Sequence, residues 1–267
     1  MWETLFSVGP LTLPTFNLFL VAGFCCSAFL FWRRGREEHY QEDQLFDGFL
    51  ISFLFGLLSA RAAFVLGHFS EMGLSVGAWF DLMGRPGLIG PVGLVVAGLI
   101  LFRFATRNKF DAFEIMDMWV SALSLGFAIV IWGLFFHRAG WGSDLPQALQ
   151  VVPGLTLKFP VWLVGGLLFG GLYVWLAKLE FRYRLISWYR NGHNVAQPGF
   201  LTAFALIYSA LALFVLTLAD IQFMPFAQVW WERAIYLLSA LMGGLIMLSR
   251  SYRLGFLDFK KNKLKTH

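Results

Sequence analysis

Seven apolar runs, each close to the length that crosses a bilayer, constrain this chain more than any other feature. A spanning helix needs about 20 predominantly apolar residues. Such runs cover about Leu13–Trp32, Leu45–Leu66, Gly87–Phe104, Phe113–Phe136, Pro160–Leu176, Phe200–Leu218 and Ala234–Leu248. Irregular backbone exposed to hydrocarbon would leave its polar groups unpaired, so runs of this length fold as helices. The sequence therefore predicts an all-α polytopic membrane protein with seven transmembrane helices. It predicts one seven-helix domain over 1–267, of which 250–267 form a basic cytoplasmic tail. Composition agrees: 58% of the residues are hydrophobic and 14% charged, against about 45–50% and about 25% in soluble domains.

The cations are sorted along the chain. Of its 21 Lys and Arg residues, 16 lie at the ends of the first, third and fifth runs, in the connections after them or in the tail. Basic residues stay on the cytoplasmic side, so the N-terminus is expected outside and the C-terminus in the cytoplasm. The net charge of +5 reflects this sorting and does not point to a nucleic acid. Cys25 and Cys26 are adjacent within an apolar run and read as buried thiols, with neither a disulfide framework nor metal-ligand spacing. No cofactor is expected. Ala22-Gly23-Phe24-Cys25 lacks the small residue a lipobox needs at Phe24, and no basic stretch precedes the first run, so a cleaved signal peptide is not expected. The connection His68–Met83 has room for an interfacial helix around Val76–Leu82. The segment Arg138–Lys158 is polar, contains Gly and Pro, and reads as a loop. No internal repeat is evident, and without inverted repeats or paired broken helices a transporter has no support.

Within this frame, Gly84-Arg85-Pro86-Gly87-Leu88-Ile89-Gly90-Pro91-Val92-Gly93 opens the third run with four glycines and two prolines. Lipid tolerates such backbone only where protein or a water-filled cavity surrounds it. Gly87, Gly90, Pro91 and Gly93 are thus expected to form the backbone of a cavity. Arg61 lies inside the second run at a similar level. Ionisable residues within spans mark pairs, pathways or sites, and a guanidinium there could bind a phosphate in bidentate fashion. Snorkelling to headgroups or a structural ion pair accounts for it equally well. Asp117, with Glu114 one turn before it, and Asp47 sit near helix N-termini, where capping or pairing with a loop arginine explains them. His68 and His137 fall at the ends of the second and fourth runs, where each is a candidate general base or an ordinary hydrogen-bonded histidine. Tyr208 and Ser209 suit hydrogen bonds between helices. Gly165-Gly166, Gly170-Gly171 and Gly243-Gly244 suit close helix packing.

The layout resembles the bacterial prolipoprotein diacylglyceryl transferases along the whole chain. Phe6-Ser7-Val8-Gly9-Pro10-Leu11 is similar to that family's N-terminal "F-x-I-G-P" entry. Ser59-Ala60-Arg61-Ala62-Ala63-Phe64-Val65 is similar to its "G-G-R-I-G-Y-V" segment. Met116-Asp117-Met118 falls where the family has an aspartate opening the fourth span, and Gly140-Trp141-Gly142 resembles the close of its fourth-span signature. The resemblance implies transfer of a diacylglyceryl group from phosphatidylglycerol to a lipobox cysteine, with Arg61 in the lipid pocket. It also implies a multi-pass protein of the bacterial inner membrane.

The departures from the family pattern concern its polar set. The histidine of "G-x-x-x-H-G-G" falls on Pro91, or on Arg85 in a shifted alignment. In "G-R-x-G-N-F-I-N-G-E" the arginine becomes Ile131, the first asparagine Leu134 and the glutamate Ala139. A further arginine and glutamate in the sixth span fall on Ala212 and near Leu216. The expectation is a divergent relative with lost or altered activity. It would keep a lipid-facing cavity and bind phosphatidylglycerol or a similar phospholipid, a lipoprotein precursor or another membrane protein. The alternative is an active transferase in which His137 or His68 accepts the proton while Arg61, with Arg85 or Arg138, faces the phosphate.

Overall fold

The computed structural model describes residues 4–8, 11–69, 73, 77, 79, 87–137, 141–144, 158–183, 198–217 and 229–250. A two-stranded antiparallel hairpin, β1 (Thr4–Val8) and β2 (Leu11–Pro14), runs directly into α1 (Thr15–Glu37). Then follow α2 (Glu42–Gly67), α3 (Gly90–Arg107) and α4 (Ala112–Gly133), the last closing in a 3-10 turn, Leu134–Phe136. β3 (Trp141–Asp144) pairs antiparallel with β4 (Lys158–Pro160). The chain continues with α5 (Val161–Tyr183), α6 (Phe200–Thr217) and α7 (Val229–Arg250).

Among the described residues, α1 to α6 are long and apolar enough to cross a membrane, whereas the apolar stretch of α7, Arg233–Leu248, is shorter. The apolar runs fall on these helices. At its C-terminal end α1 continues past its run through Arg34 and Arg36, because cations in the last turn meet the negative end of the helix dipole. Two readings are corrected. The ends of the Arg138–Lys158 connection form the β3–β4 ladder, with Trp141 opposite Pro160, where a loop was expected. The expected helix at Val76–Leu82 falls mostly outside the described residues.

The second correction is an internal repeat. α1 ends at Glu37 and α3 at Arg107; α2 begins at Glu42 and α4 at Ala112, so both boundaries recur at one and the same offset. The turns match bond for bond. The amides of Glu38, His39 and Tyr40 donate to the carbonyls of Arg34, Arg36 and Gly35, and those of Asn108, Lys109 and Phe110 donate to Phe104, Thr106 and Ala105. His39 and Lys109 are both left-handed, at φ +63° and +62°. This is the usual way of satisfying the last carbonyls of a helix, here without glycine. The buried positions in the first half of α2, Leu45, Gly48, Phe49 and Ser52, recur on α4 as the buried Ile115, Met118, Trp119 and Ala122.

The chain divides into two compact units, and each contains one copy of the same glycine crossing. In the unit holding α2 and α3, Gly56 meets Gly93: a Cβ on either would lie 2.9 or 2.8 Å from the other's carbonyl oxygen. In the unit holding most of α1 and α4, Gly23 meets Gly126 in the same way, at 2.8 and 2.9 Å. The repeat offset carries Gly23 onto Gly93 and Gly56 onto Gly126, and only glycine lets the backbones approach this closely. The α1–α4 crossing is reinforced by Ser27, whose hydroxyl donates to the Ala122 carbonyl at 3.2 Å. In that unit α4, α5 and α6 share a core of Ala128, Phe169, Leu172, Leu176, Leu201 and Ala205.

Candidate functional site

At the C-terminal end of α2, Arg61 is 7% exposed. Its Nε donates to the Trp79 carbonyl at 2.8 Å and its Nη1 to the Gly87 carbonyl at 3.0 Å. A guanidinium has five N–H donors in a rigid fork, and here part of that fork fastens the α2–α3 connection to α2. The connection is held again by the Ile89 amide, which donates to the Ala60 carbonyl at 3.0 Å. Trp79 closes its own turn by donating from Nε1 to the Gly73 carbonyl at 3.1 Å.

Phe64, one turn beyond Arg61, organises the cluster. The Arg61 guanidinium carbon lies 5.4 Å from its ring centroid, within reach of a cation–π attraction. The His68 ring stacks on it with centroids 4.4 Å apart. Gly87 lies against the same ring so closely that a Cβ would sit 2.1 to 2.5 Å from three ring carbons. His68 caps α2, and its Nδ1 lies 3.1 Å from the Phe64 carbonyl. A carbonyl only accepts, so this hydrogen bond needs the proton on Nδ1. Arg61, His68 and Gly87 are thus brought together through a phenylalanine that no polar motif would single out.

The other cavity residues have different surroundings. Gly93 is consumed by the Gly56 crossing. Gly90 has open space where a Cβ would project. Pro91 occupies the first turn of α3, where its missing N–H costs nothing. Arg85 and Arg138 lie outside the described residues.

In the other unit, Asp117 is 5% exposed and accepts from the Gly199 amide at 2.8 Å, the Thr202 amide at 2.7 Å and the Thr202 hydroxyl at 2.6 Å. It caps α6, although it sits on α4. The cap of α4 itself is Asp111, which accepts from the amides of Phe113 and Glu114. Asp47 is exposed on α2. Glu114 accepts from the Tyr40 hydroxyl at 2.5 Å. Burial, and then this carboxylate, push the Tyr40 pKa well above the usual tyrosine range. His137 packs against Phe16, with centroids 5.7 Å apart. Tyr208 stacks on Phe204 at the edge of the apolar core. A shallow, almost wholly apolar groove of about 370 Å³ lies along Phe19, Leu125, Trp132, Gly166 and Gly170.

Three positions where polar residues were expected from the resemblance are packed apolar. Ile131 lies against Gly165 and borders the α4–α6 core, while Ala212 and Leu216 are 5% and 1% exposed. Among the described residues, no group of three His, Cys, Asp or Glu could hold a metal ion.

Residues 3–249 match the model of the prolipoprotein diacylglyceryl transferase family. Similar proteins include the phosphatidylglycerol–prolipoprotein diacylglyceryl transferases of Streptococcus pneumoniae strains Hungary19A-6, G54 (serotype 19F) and ATCC 700669. Each is 24% identical over 206 residues, covering 75% of this chain and 76% of the relative. With a match over nearly the whole length, this multi-pass membrane chain belongs to the prolipoprotein diacylglyceryl transferase family.

Proposed function

We propose that this chain is a divergent family member of the bacterial inner membrane. In this reading it keeps a lipid-facing frame, has lost or altered the transfer chemistry, and binds a phospholipid together with a lipoprotein segment or partner. Its relatives are named for phosphatidylglycerol and prolipoprotein, which supplies the ligand classes. The observation that carries the reading is the apolar packing of Ile131, Ala212 and Leu216. Groups that act as one catalytic unit lose most of the rate when any is removed, and a charged phosphoester needs cations or donors around it. In this reading Arg61, assisted by Arg85 and Arg138, faces the phosphate and shares its guanidinium with the two backbone carbonyls. Gly87 and Gly90 line the approach, the apolar groove takes acyl chain, and Asp117 and Tyr208 are structural. The chain spans seven times, with its N-terminus outside and its C-terminus in the cytoplasm.

The alternative, an active transferase, draws on Arg61 and His68 sharing Phe64, which brings a cation and a base to one helix end. The test is expression in cells depleted of their own transferase, with a lipobox reporter. The divergent reading expects no diacylglyceryl modification, together with lipid or lipoprotein co-purifying with the protein by mass spectrometry. Robust modification that Arg61→Ala abolishes would establish the alternative. Silence in both assays would remove the binding role as well.

A further inference from the structure

Two hydroxyls in the middle of α6 are treated differently. That of Ser209 donates to the Leu206 carbonyl of its own helix at 3.3 Å. Tyr208 stacks on Phe204, and its hydroxyl makes no hydrogen bond among the described residues. This hydroxyl stands beside Gly171 on α5, 3.7 Å from where a Cβ on that glycine would lie. Gly171 is exposed, so the phenol borders a notch that any larger residue would fill. At 1.5 Å per residue, Tyr208 is about 12 Å along α6, a helix of about 27 Å, and Gly171 is about 15 Å along α5. Both helices therefore put the notch at mid-membrane. Around it the exposed side chains are apolar. Leu211 and Val215 continue the Tyr208 face of α6, and Val174 follows Gly171 by one turn, at 46%, 48% and 50% exposure.

An apolar face alone needs only acyl chains to cover it. The phenol makes this face different, because a hydroxyl left without a partner in hydrocarbon is costly. The acceptors of a phospholipid lie in its ester and headgroup region, about 15 Å from the midplane, out of reach from the middle of α6. A partner for Tyr208 is therefore protein at the same depth. A second copy supplies it by symmetry. Two copies inserted the same way round are related by an axis along the membrane normal, which keeps every residue at its own depth. Tyr208 of one copy then meets Tyr208 of the other, and a phenol both donates and accepts. Any other protein would have to bring an acceptor of its own to that level. Nothing opposes the pairing, since α6 carries no charged residue.

We propose that the chain pairs with a second copy of itself through the α5–α6 face. The two Tyr208 hydroxyls bond to each other across a two-fold axis, Gly171 gives them room, and Leu211, Val215 and Val174 pack around them. The pairing does not depend on how the chain uses Arg61 or any lipid, so it holds for an active transferase and for a non-catalytic relative alike.

The test uses the full chain with Cys25→Ser and Cys26→Ser in phosphatidylethanolamine–phosphatidylglycerol vesicles. A single cysteine replaces Leu211 or Val174 or, as controls, Leu99 on α3 or Leu245 on α7, which are 63% and 68% exposed. Oxidation should link dimers from Leu211→Cys or Val174→Cys and few from the controls. Energy transfer between copies carrying donor and acceptor fluorophores at the C-terminus, followed over a series of protein-to-lipid ratios, reads the dimer dissociation constant. Tyr208→Phe, which removes only the oxygen, should raise that constant about threefold to tenfold, the range for one hydrogen bond between membrane helices. Mixed pairs of the natural chain with the variant should be as weak as pairs of the variant, since each hydroxyl then faces a ring without an acceptor. The variant keeps the ring contact with Phe204, so its unfolding midpoint should match that of the natural chain. Monomers at every ratio, equal linking from the controls, dimers indifferent to Tyr208→Phe, or mixed pairs as strong as natural ones would each overturn the proposal. A lowered midpoint would reveal an acceptor within the chain and overturn it as well.

Discussion

Among the described residues of the helices, Arg61 and Asp117 are the two buried charges, and each meets backbone from a distant segment, Arg61 donating to carbonyls and Asp117 accepting from amides. Arg61 was identifiable because an arginine inside an apolar run needs an explanation. Its two carbonyl partners, at Trp79 and Gly87, lie 18 and 26 residues away, and no local pattern announces them. Phe64 was invisible for a simpler reason: one aromatic among 30 phenylalanines carries no signal until its neighbours are known. Gly87 was legible as a close approach, and the structure identifies the approach as to the Phe64 ring. Gly87→Ala should therefore destabilise the protein by about 1–3 kcal/mol, the usual range for overpacking. Phe64→Leu should relieve part of that cost, so the double variant loses less than the sum of the singles. Thermal unfolding of the purified variants measures this, and strict additivity would show that the ring is not the obstacle. Tyr40 gives a pH prediction. Its folded pKa is raised above the ordinary value, chiefly by burial and then by Glu114, so the folded state retains a proton that the unfolded chain releases near pH 10. The contribution of Tyr40 is complete below about pH 10 and is lost as the pH rises further. The unfolding midpoint of Tyr40→Phe should be flatter than that of the natural chain above pH 10 and parallel to it between pH 7 and 9.

At the scale of elements, length and hydropathy were enough to find the helices, because hydrocarbon leaves a long apolar run no other structure. The repeat was hidden. Across the two hairpins only five offset pairs are identical: Leu18/Leu88, Gly23/Gly93, Arg33/Arg103, Asp47/Asp117 and Gly56/Gly126. Lipid-facing positions exchange Leu, Val, Ile and Phe with little penalty, and this freedom erases most of the similarity. The four crossing glycines are what geometry preserves, at contacts of 2.8 to 2.9 Å. The short strands were illegible too, since Trp141 and Pro160 pair across a connection that separates them by many residues. Asp117 was expected to cap or to pair with a loop arginine. It caps, but the helix it caps is not its own: that helix begins at Phe200, beyond the whole of α5. Asp117→Ala should cost about 2–4 kcal/mol, because it leaves the Gly199 and Thr202 donors of a buried helix end without their acceptor. Asp117→Asn, which keeps one acceptor oxygen, should cost about half as much. Hydrogen exchange read at Gly199 and Thr202 should accelerate in both variants. Protection that stays unchanged at these two amides would mean another group has taken over the cap.

For the whole molecule, the sidedness of the first four helices follows from one contact. The Tyr40 and Phe110 rings meet edge to face with centroids 5.0 Å apart, so the α1–α2 and α3–α4 turns lie on the same side of the membrane. Those turns are preceded by Arg33, Arg34 and Arg36 in one hairpin and by Arg103 and Arg107 in the other, with Lys109 inside the second turn. Short connections rich in cations remain in the cytoplasm, so both turns are expected there and the β1–β2 hairpin outside. The shared contact makes the expectation stricter than a charge count, because the two turns cannot be assigned to different sides. Cysteine scanning tests it. With Cys25 and Cys26 replaced by serine, a single cysteine at His39 or Lys109 should resist a membrane-impermeant maleimide in intact cells and react once the membrane is permeabilised. A cysteine at Thr12 in β2 should react in intact cells. His39→Cys and Lys109→Cys must behave alike whichever way the protein is inserted. If one reacts from outside and the other does not, the Tyr40–Phe110 contact fails; if both react from outside, the contact stands and the charge rule is what fails.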